Sequence, residues 1–239
     1  MNFDYKRWDN DNVNELIKYL KSIANERHRD FSLTITPTNM QLLGVSFPEL
    51  NVIAKSISKG NYREFLEIKI NNIFELEILK GYVIANIKDV TEYRDYFERF
   101  IKTIDNWAVC DTFLAMSKVI EKDRTYYFSR CKELIKEDNE FLNRVGFVVL
   151  LDYFIDDEHI DELYDMINGY NTEKYYSMMA LGWLISYIFI KYPDRTFEYM
   201  KTCTISKDIL KIAVSKIRDS RRVDDKYKNK LKKEISFCD

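Results

Sequence analysis

The chain has little with which to break a helix. Its 239 residues include only 6 glycines and 3 prolines, which disfavours a fold built on many β-turns and favours helices joined by short polar loops. Histidine is scarcer still, with His28 and His159 alone, and the four cysteines (Cys110, Cys131, Cys203 and Cys238) lie far apart with no C-x-x-C pair. Ligands for zinc or an iron–sulfur cluster are therefore almost absent, and no disulfide framework, metal or cofactor is expected. The opening MNFDYKRWDNDN has no apolar run of the signal-peptide type. The most apolar stretch, YYSMMALGWLISYIFI at 175–190, has 16 residues, short of the roughly 20 that cross a bilayer. It reads as a buried core helix. A cytoplasmic protein with no membrane partner is expected.

Charge of one sign is not in excess overall: 37 Lys and Arg meet 39 Asp and Glu, for a net charge of −2. The average therefore gives no nucleic-acid signature, but it hides an asymmetry. Between Lys207 and Lys233, 11 basic residues meet 4 acidic ones, an excess of seven positive charges that leaves nine negative charges in excess elsewhere. A basic C-terminal surface on an acidic body is expected. Lys216, Arg218, Arg221 and Arg222 are the candidate phosphate contacts, although a basic stretch of this kind can equally be a solvated helix face.

What the sequence does have is helical periodicity. It predicts helices near 11–27, 38–43, 48–58, 61–70, 73–87, 90–102, 106–120, 125–136, 139–154, 158–168, 173–190, 194–201, 207–218 and 224–236. Stop and cap residues mark the breaks, among them Gly60-Asn61, Asp156-Asp157, Asn168-Gly169, Pro193-Asp194 and Ser206. Only FSLTITP at 31–37 reads as extended, with Thr and Ile alternating before Pro37.

One short stretch stands out. In DNWAVCD, 105–111, Asp105 is the expected helix cap, and Trp107, Asp111 and Leu114 then share one helix face. An anion on that face needs either a partner inside the fold or a face that is not fully buried. Two other apolar helices carry a comparable residue near their middles, Arg144 in FLNRVGFVVLLDYF and Trp183 in MMALGWLISYIF. The separations from Trp107 to Arg144 and from Arg144 to Trp183 are 37 and 39 residues. That is the period of helix-pair solenoids, about 40 residues per unit. The expected fold is all-α: an α-solenoid of HEAT-like helix-pair repeats with a concave groove. A single domain over 1–239 is expected, with an N-terminal helix and connecting segment at 1–38 and helical repeats at 39–236. Taken alone, the tryptophans read as core residues, and Asp111 with Arg144 reads as an ion pair between repeats.

DNWAVCD at 105–111, NRVGFV at 143–148 and ALGW at 180–183 resemble the DNA alkylation repair family, the AlkD-like DNA glycosylases. LLGVSFPELNVIAKSI at 42–57 resembles that family's N-terminal L-G-(I/V)-x-x-P segment. The resemblance covers about residues 40–235 with four motifs in order. It implies the same α-solenoid with a basic DNA groove, and an enzyme that hydrolyses the N-glycosidic bond of cationic N3- and N7-alkylated purines without drawing the base into a pocket. Carried over by position, it assigns Asp111 as the catalytic carboxylate, Trp107 and Trp183 as the pair flanking the deoxyribose, and Arg144 as a groove arginine. The implied partner is double-stranded DNA containing alkylated bases, bound by a monomer. The sequence departs from the family in having Ser186 three positions after Trp183, where a basic residue is usual. It also lacks the arginine that often follows the N-terminal proline, here Pro48; Asn51 and its neighbours stand there instead. Two other readings remain open: a non-catalytic protein binding damaged or branched DNA, and a helical scaffold for a protein partner.

Overall fold

The computed structural model describes residues 2–69 and 72–235, and among them it is all-α. Its helices are α1 (Asn10–Ile23), α2 (Glu26–Ile35), α3 (Phe47–Ile57), α4 (Tyr62–Leu66), α5 (Phe74–Ala85), α6 (Val90–Phe100), α7 (Trp107–Met116), α8 (Arg124–Leu134), α9 (Glu140–Tyr153), α10 (Ile160–Ile167), α11 (Tyr175–Lys191), α12 (Pro193–Thr202), α13 (Lys207–Asp219) and α14 (Asp225–Glu234). Short 3-10 turns follow α6 and α7, at Ile101–Thr103 and Lys118–Lys122. Ile70, Cys238 and the last residue of the helix expected at 224–236 lie outside the described residues.

The chain forms two compact units, Met1–Asp123 and Arg124–Asp239. Each is solenoid-like, a row of stacked helices with partner helices beside it. In the first unit α5 packs between α3 and α7, with α4 and α6 against it. In the second, α11 packs between α9 and α13, while α8, α12 and α14 pair with α9, α11 and α13. Helices buried on most sides need apolar sequence all round, as α5 and α11 have. Within α5 the exception is Glu75, a carboxylate buried at 1% exposure. The stretch read as a core helix is α11, which buries nine residues from Ser177 to Phe189. No helix among the described residues is long and apolar enough to cross a membrane.

Close approach explains two glycines of the recognised motifs. A Cβ on Gly146 would lie 2.8 Å from a methyl of Ile135, and one on Gly182 would lie 2.5 Å from a methyl of Ile212. Bare backbone at these points sets α8 against α9 and α13 against α11. Asn143 closes the same junction: its amide donates to the Leu134 and Glu137 carbonyls at 3.0 and 2.8 Å, and its oxygen accepts from Ser177 at 3.1 Å.

Several expectations are corrected. Residues 31–35 are not extended but form the second half of α2; Asn25 caps that helix by accepting from the His28 N–H. The break between α1 and α2 at Ala24-Asn25 likewise divides the single helix expected at 11–27. Thr36 is extended, the region that a following proline favours. Residues 38–43 are not helical. Their backbone is used elsewhere: the Gln41 N–H donates to the Asn72 carbonyl at 2.8 Å, and the Gln41 carbonyl accepts from the Phe74 N–H at 3.0 Å. The cap of α7 is Asn106, which accepts from Val109 N–H at 3.0 Å. Asp105 instead accepts from the Asn106 amide at 2.9 Å. The step between stacked helices is also shorter than 37–39 residues: 33 from the first residue of α5 to that of α7, then 35 and 32 along α9, α11 and α13. Trp107, Arg144 and Trp183 are accordingly not equivalent; they are the first residue of α7, the fifth of α9 and the ninth of α11.

Candidate functional site

The first unit brings Trp107 and Asp111 together on one face of α7. Asn106, itself fully buried, starts the helix at Trp107, so one turn later Asp111 projects on the same side. Both are half-buried, whereas Leu114 beyond them is fully buried. The face carrying the anion is therefore partly open. Trp107 is also anchored from outside its own helix: its indole N–H donates to the Ile35 carbonyl at 2.9 Å. Ile35 ends α2 and its carbonyl is one of the four that a helix end leaves without an intrahelical donor, so the indole caps α2 while its ring is held in place. Around this contact Phe31, Leu33 and Ile35 are 61%, 51% and 46% exposed.

A chain of contacts supports α2 in turn. The Glu75 carboxylate accepts from the backbone N–H groups of Leu43, Gly44 and Val45 at 3.0, 2.7 and 3.3 Å. Gly44, with φ at +100°, lies so near α2 that a Cβ would fall 2.4 Å from the Asn25 carbonyl. Its own carbonyl accepts from the Asn25 N–H at 3.0 Å. The L-G-V segment at 43–45 thus links Glu75 on α5 to the start of α2, whose other end holds Trp107.

The second unit holds the remaining candidates. Arg144 is 6% exposed and its Nη1 donates to the Tyr176 carbonyl at 3.4 Å, beside the Phe141–Tyr176 ring stack at 5.2 Å. Trp183 stands further along α11, half-buried, with Tyr187 edge-on to it at 5.7 Å between centroids. A cleft of about 380 Å³ is lined by Trp183, Tyr187, Lys216 and Arg222. Ser186 also lines it, but its hydroxyl donates back to the Trp183 carbonyl at 2.7 Å. Arg218 lies in a different cleft, with Lys228 and Lys232 but also Asp219 and Asp225; Arg221 is exposed. The basic set is thus divided, with Lys216 and Arg222 beside Trp183 and Arg218 apart from them. Within this unit Arg124, Arg130 and Arg195 each hold a carboxylate. Among the described residues Arg218, Arg221 and Arg222 hold none, which leaves those three charges available to an external anion. Sequence reasoning passed over Tyr187, whose position four residues after Trp183 was its signal.

Asp156, Glu158 and His159 have ligand atoms within 4.8 Å of one another. Asp156 is already held by Arg124 at 2.5 Å and by His159 Nδ1 at 2.7 Å, so the guanidinium supplies the cluster with its cation.

The two units are thus helical stacks, one presenting a half-buried carboxylate beside an indole and the other guanidinium groups that hold no carboxylate among the described residues, and the fold is that of an all-α, solenoid-like protein. The family model for DNA alkylation repair enzyme matches residues 16–221, and the chain belongs to that family. Membership makes its role the repair of alkylated DNA, as an enzyme with DNA as partner. No curated protein matches the chain.

Proposed function

We propose that the protein is a DNA glycosylase that hydrolyses the N-glycosidic bond of cationic alkylated purines, of the 3-methyladenine and 7-methylguanine type, in duplex DNA. The observation that carries the proposal is Asp111, a half-buried carboxylate one helical turn from Trp107, in a chain of this family. An alkylated purine already bears positive charge and leaves without an acid. What needs stabilising is the oxocarbenium-like charge that grows on the sugar, the problem glycosidases share. A carboxylate about 4 Å away supplies roughly 4 kcal/mol at an effective dielectric of about 20, worth about a thousandfold in rate if realised only in the transition state. The same carboxylate orients the attacking water. Trp107, beside Asp111, offers an electron-rich ring face to the sugar and its developing cation, and Trp183 offers one to a sugar of the bound DNA. Arg144, Lys216, Arg218, Arg221 and Arg222 contact phosphates. The proposal keeps the chain as one helical-repeat domain acting as a monomer in the cytoplasm.

Asp111→Asn keeps the shape and removes the charge. In single-turnover assays on methylated duplex, release of 7-methylguanine is expected to fall about a thousandfold, with DNA affinity and thermal stability nearly unchanged. A folded, DNA-binding variant that releases base at the wild-type rate refutes the mechanism. A loss of about 3–5 kcal/mol in stability instead marks Asp111 as one member of a buried ion pair.

A further inference from the structure

The cleft beside Trp183 is arranged in layers. Tyr187 stands edge-on to Trp183, 5.7 Å between centroids, and the Arg222 guanidinium lies over the Tyr187 ring, 4.4 Å from its centroid. Arg222 comes from the segment after α13, Lys216 from the last turn of α13, and the volume they enclose with α11 is about 380 Å³. One carboxylate, Asp219, also lines it. A guanidinium stacked on a ring uses its flat face there and keeps its in-plane N–H donors, which match the geometry of a phosphate. The volume lies at the lower end of the roughly 300–1,000 Å³ of ligand pockets, enough for one nucleotide unit. α11 itself gives the cleft no cation, because position 186 is a buried serine bonded to its own helix.

We infer that this cleft seats one DNA phosphodiester with its sugar: Arg222 and Lys216 hold the phosphate, Trp183 meets the sugar, and Tyr187 is the positioning residue that holds Arg222 in place. The inference rests on the DNA-acting reading above and deepens it. It selects Arg222 from three unpaired arginines, adds Tyr187, and makes the end of α13 the source of the charge that position 186 lacks.

The test is binding of an undamaged duplex oligonucleotide, measured over a range of salt. Arg222 is exposed, so Arg222→Gln leaves the fold intact; it is expected to weaken binding and to reduce the log–log salt slope by about 0.9, one phosphate contact. Tyr187→Phe keeps the ring and is expected to bind as the wild type does. Tyr187→Leu removes the platform and is expected to weaken binding about two- to fivefold. Inorganic phosphate is expected to compete only weakly, since it lacks the sugar. An unchanged slope in Arg222→Gln, or equal weakening by Phe and Leu at 187, overturns the inference. Wild-type base release from methylated duplex is scored separately. An Arg222 effect without base release keeps the cleft and removes the glycosylase; base release without an Arg222 effect does the reverse.

Discussion

Glu75 is a carboxylate on the most enclosed helix of the first unit, at 1% exposure. It is tolerated there because three consecutive backbone N–H groups, of Leu43, Gly44 and Val45, satisfy it. Among the described residues those donors meet no other acceptor, in a turn that Gly44 bends through φ +100°. Removing the acceptor strands them, so Glu75→Ala is expected to cost about 1–3 kcal/mol, read from urea unfolding. Because the same turn carries the start of α2, and α2 carries the carbonyl that holds Trp107, the variant is also expected to alter Trp107 emission. The comparison is Glu75→Gln, which keeps one acceptor oxygen and is expected to lose less. The motif at 42–48 was legible as a family resemblance. Its partner was not, since Glu75 lies 30–32 residues away and nothing local in the sequence announces a contact at that distance. Asp111 was legible for the opposite reason. Its relation to Trp107 is four residues along one helix, so period alone puts both on a face, and the half-burial of both agrees with the partly open face, one of the two arrangements its charge left open.

Among the elements, long apolar helices such as α5, α9 and α11 were readable because burial on several sides leaves an unmistakable sequence. α2 was not. It buries no residue, so no apolar stripe marks it, and the Thr–Ile alternation of its last turns imitates a strand. What makes it a helix is the Asn25 cap and the Trp107 bond at its far end, a local and a tertiary contact of which only the first is visible in sequence. The Asn106 cap was missed by one residue, since Asp105 and Asn106 are both good caps and only packing decides between them. At the α11–α13 contact, Gly182→Ala places a methyl 2.5 Å from Ile212, and relief requires α13 to move. The expected cost is about 1–3 kcal/mol, measurable by thermal melting. Since Lys216 and Arg222 ride on and just beyond α13, DNA affinity is expected to fall as well, without any charge having been removed.

Over the whole molecule the charge distribution outweighs the net value. The chain as a whole is at −2, yet the stretch from Lys207 to Lys233 is strongly basic, and three arginines at its centre hold no carboxylate among the described residues. Replacing Arg218, Arg221 and Arg222 together by Gln is expected to flatten the salt dependence of duplex binding by about 0.9 for each that meets a phosphate, checked by anisotropy titrations at several salt concentrations. The repeat was legible as a period, but its step was overestimated, because the residues that mark it sit progressively deeper in their helices. The true step, 27–35 residues within each unit, bears on how the chain is made. Each stacked helix finds its stacking partner about one repeat earlier in the sequence, so the stacking itself is a local step. At roughly 5–20 residues per second on the ribosome, a new partner emerges every few seconds, and apolar faces can be covered nearly as fast as they are synthesised.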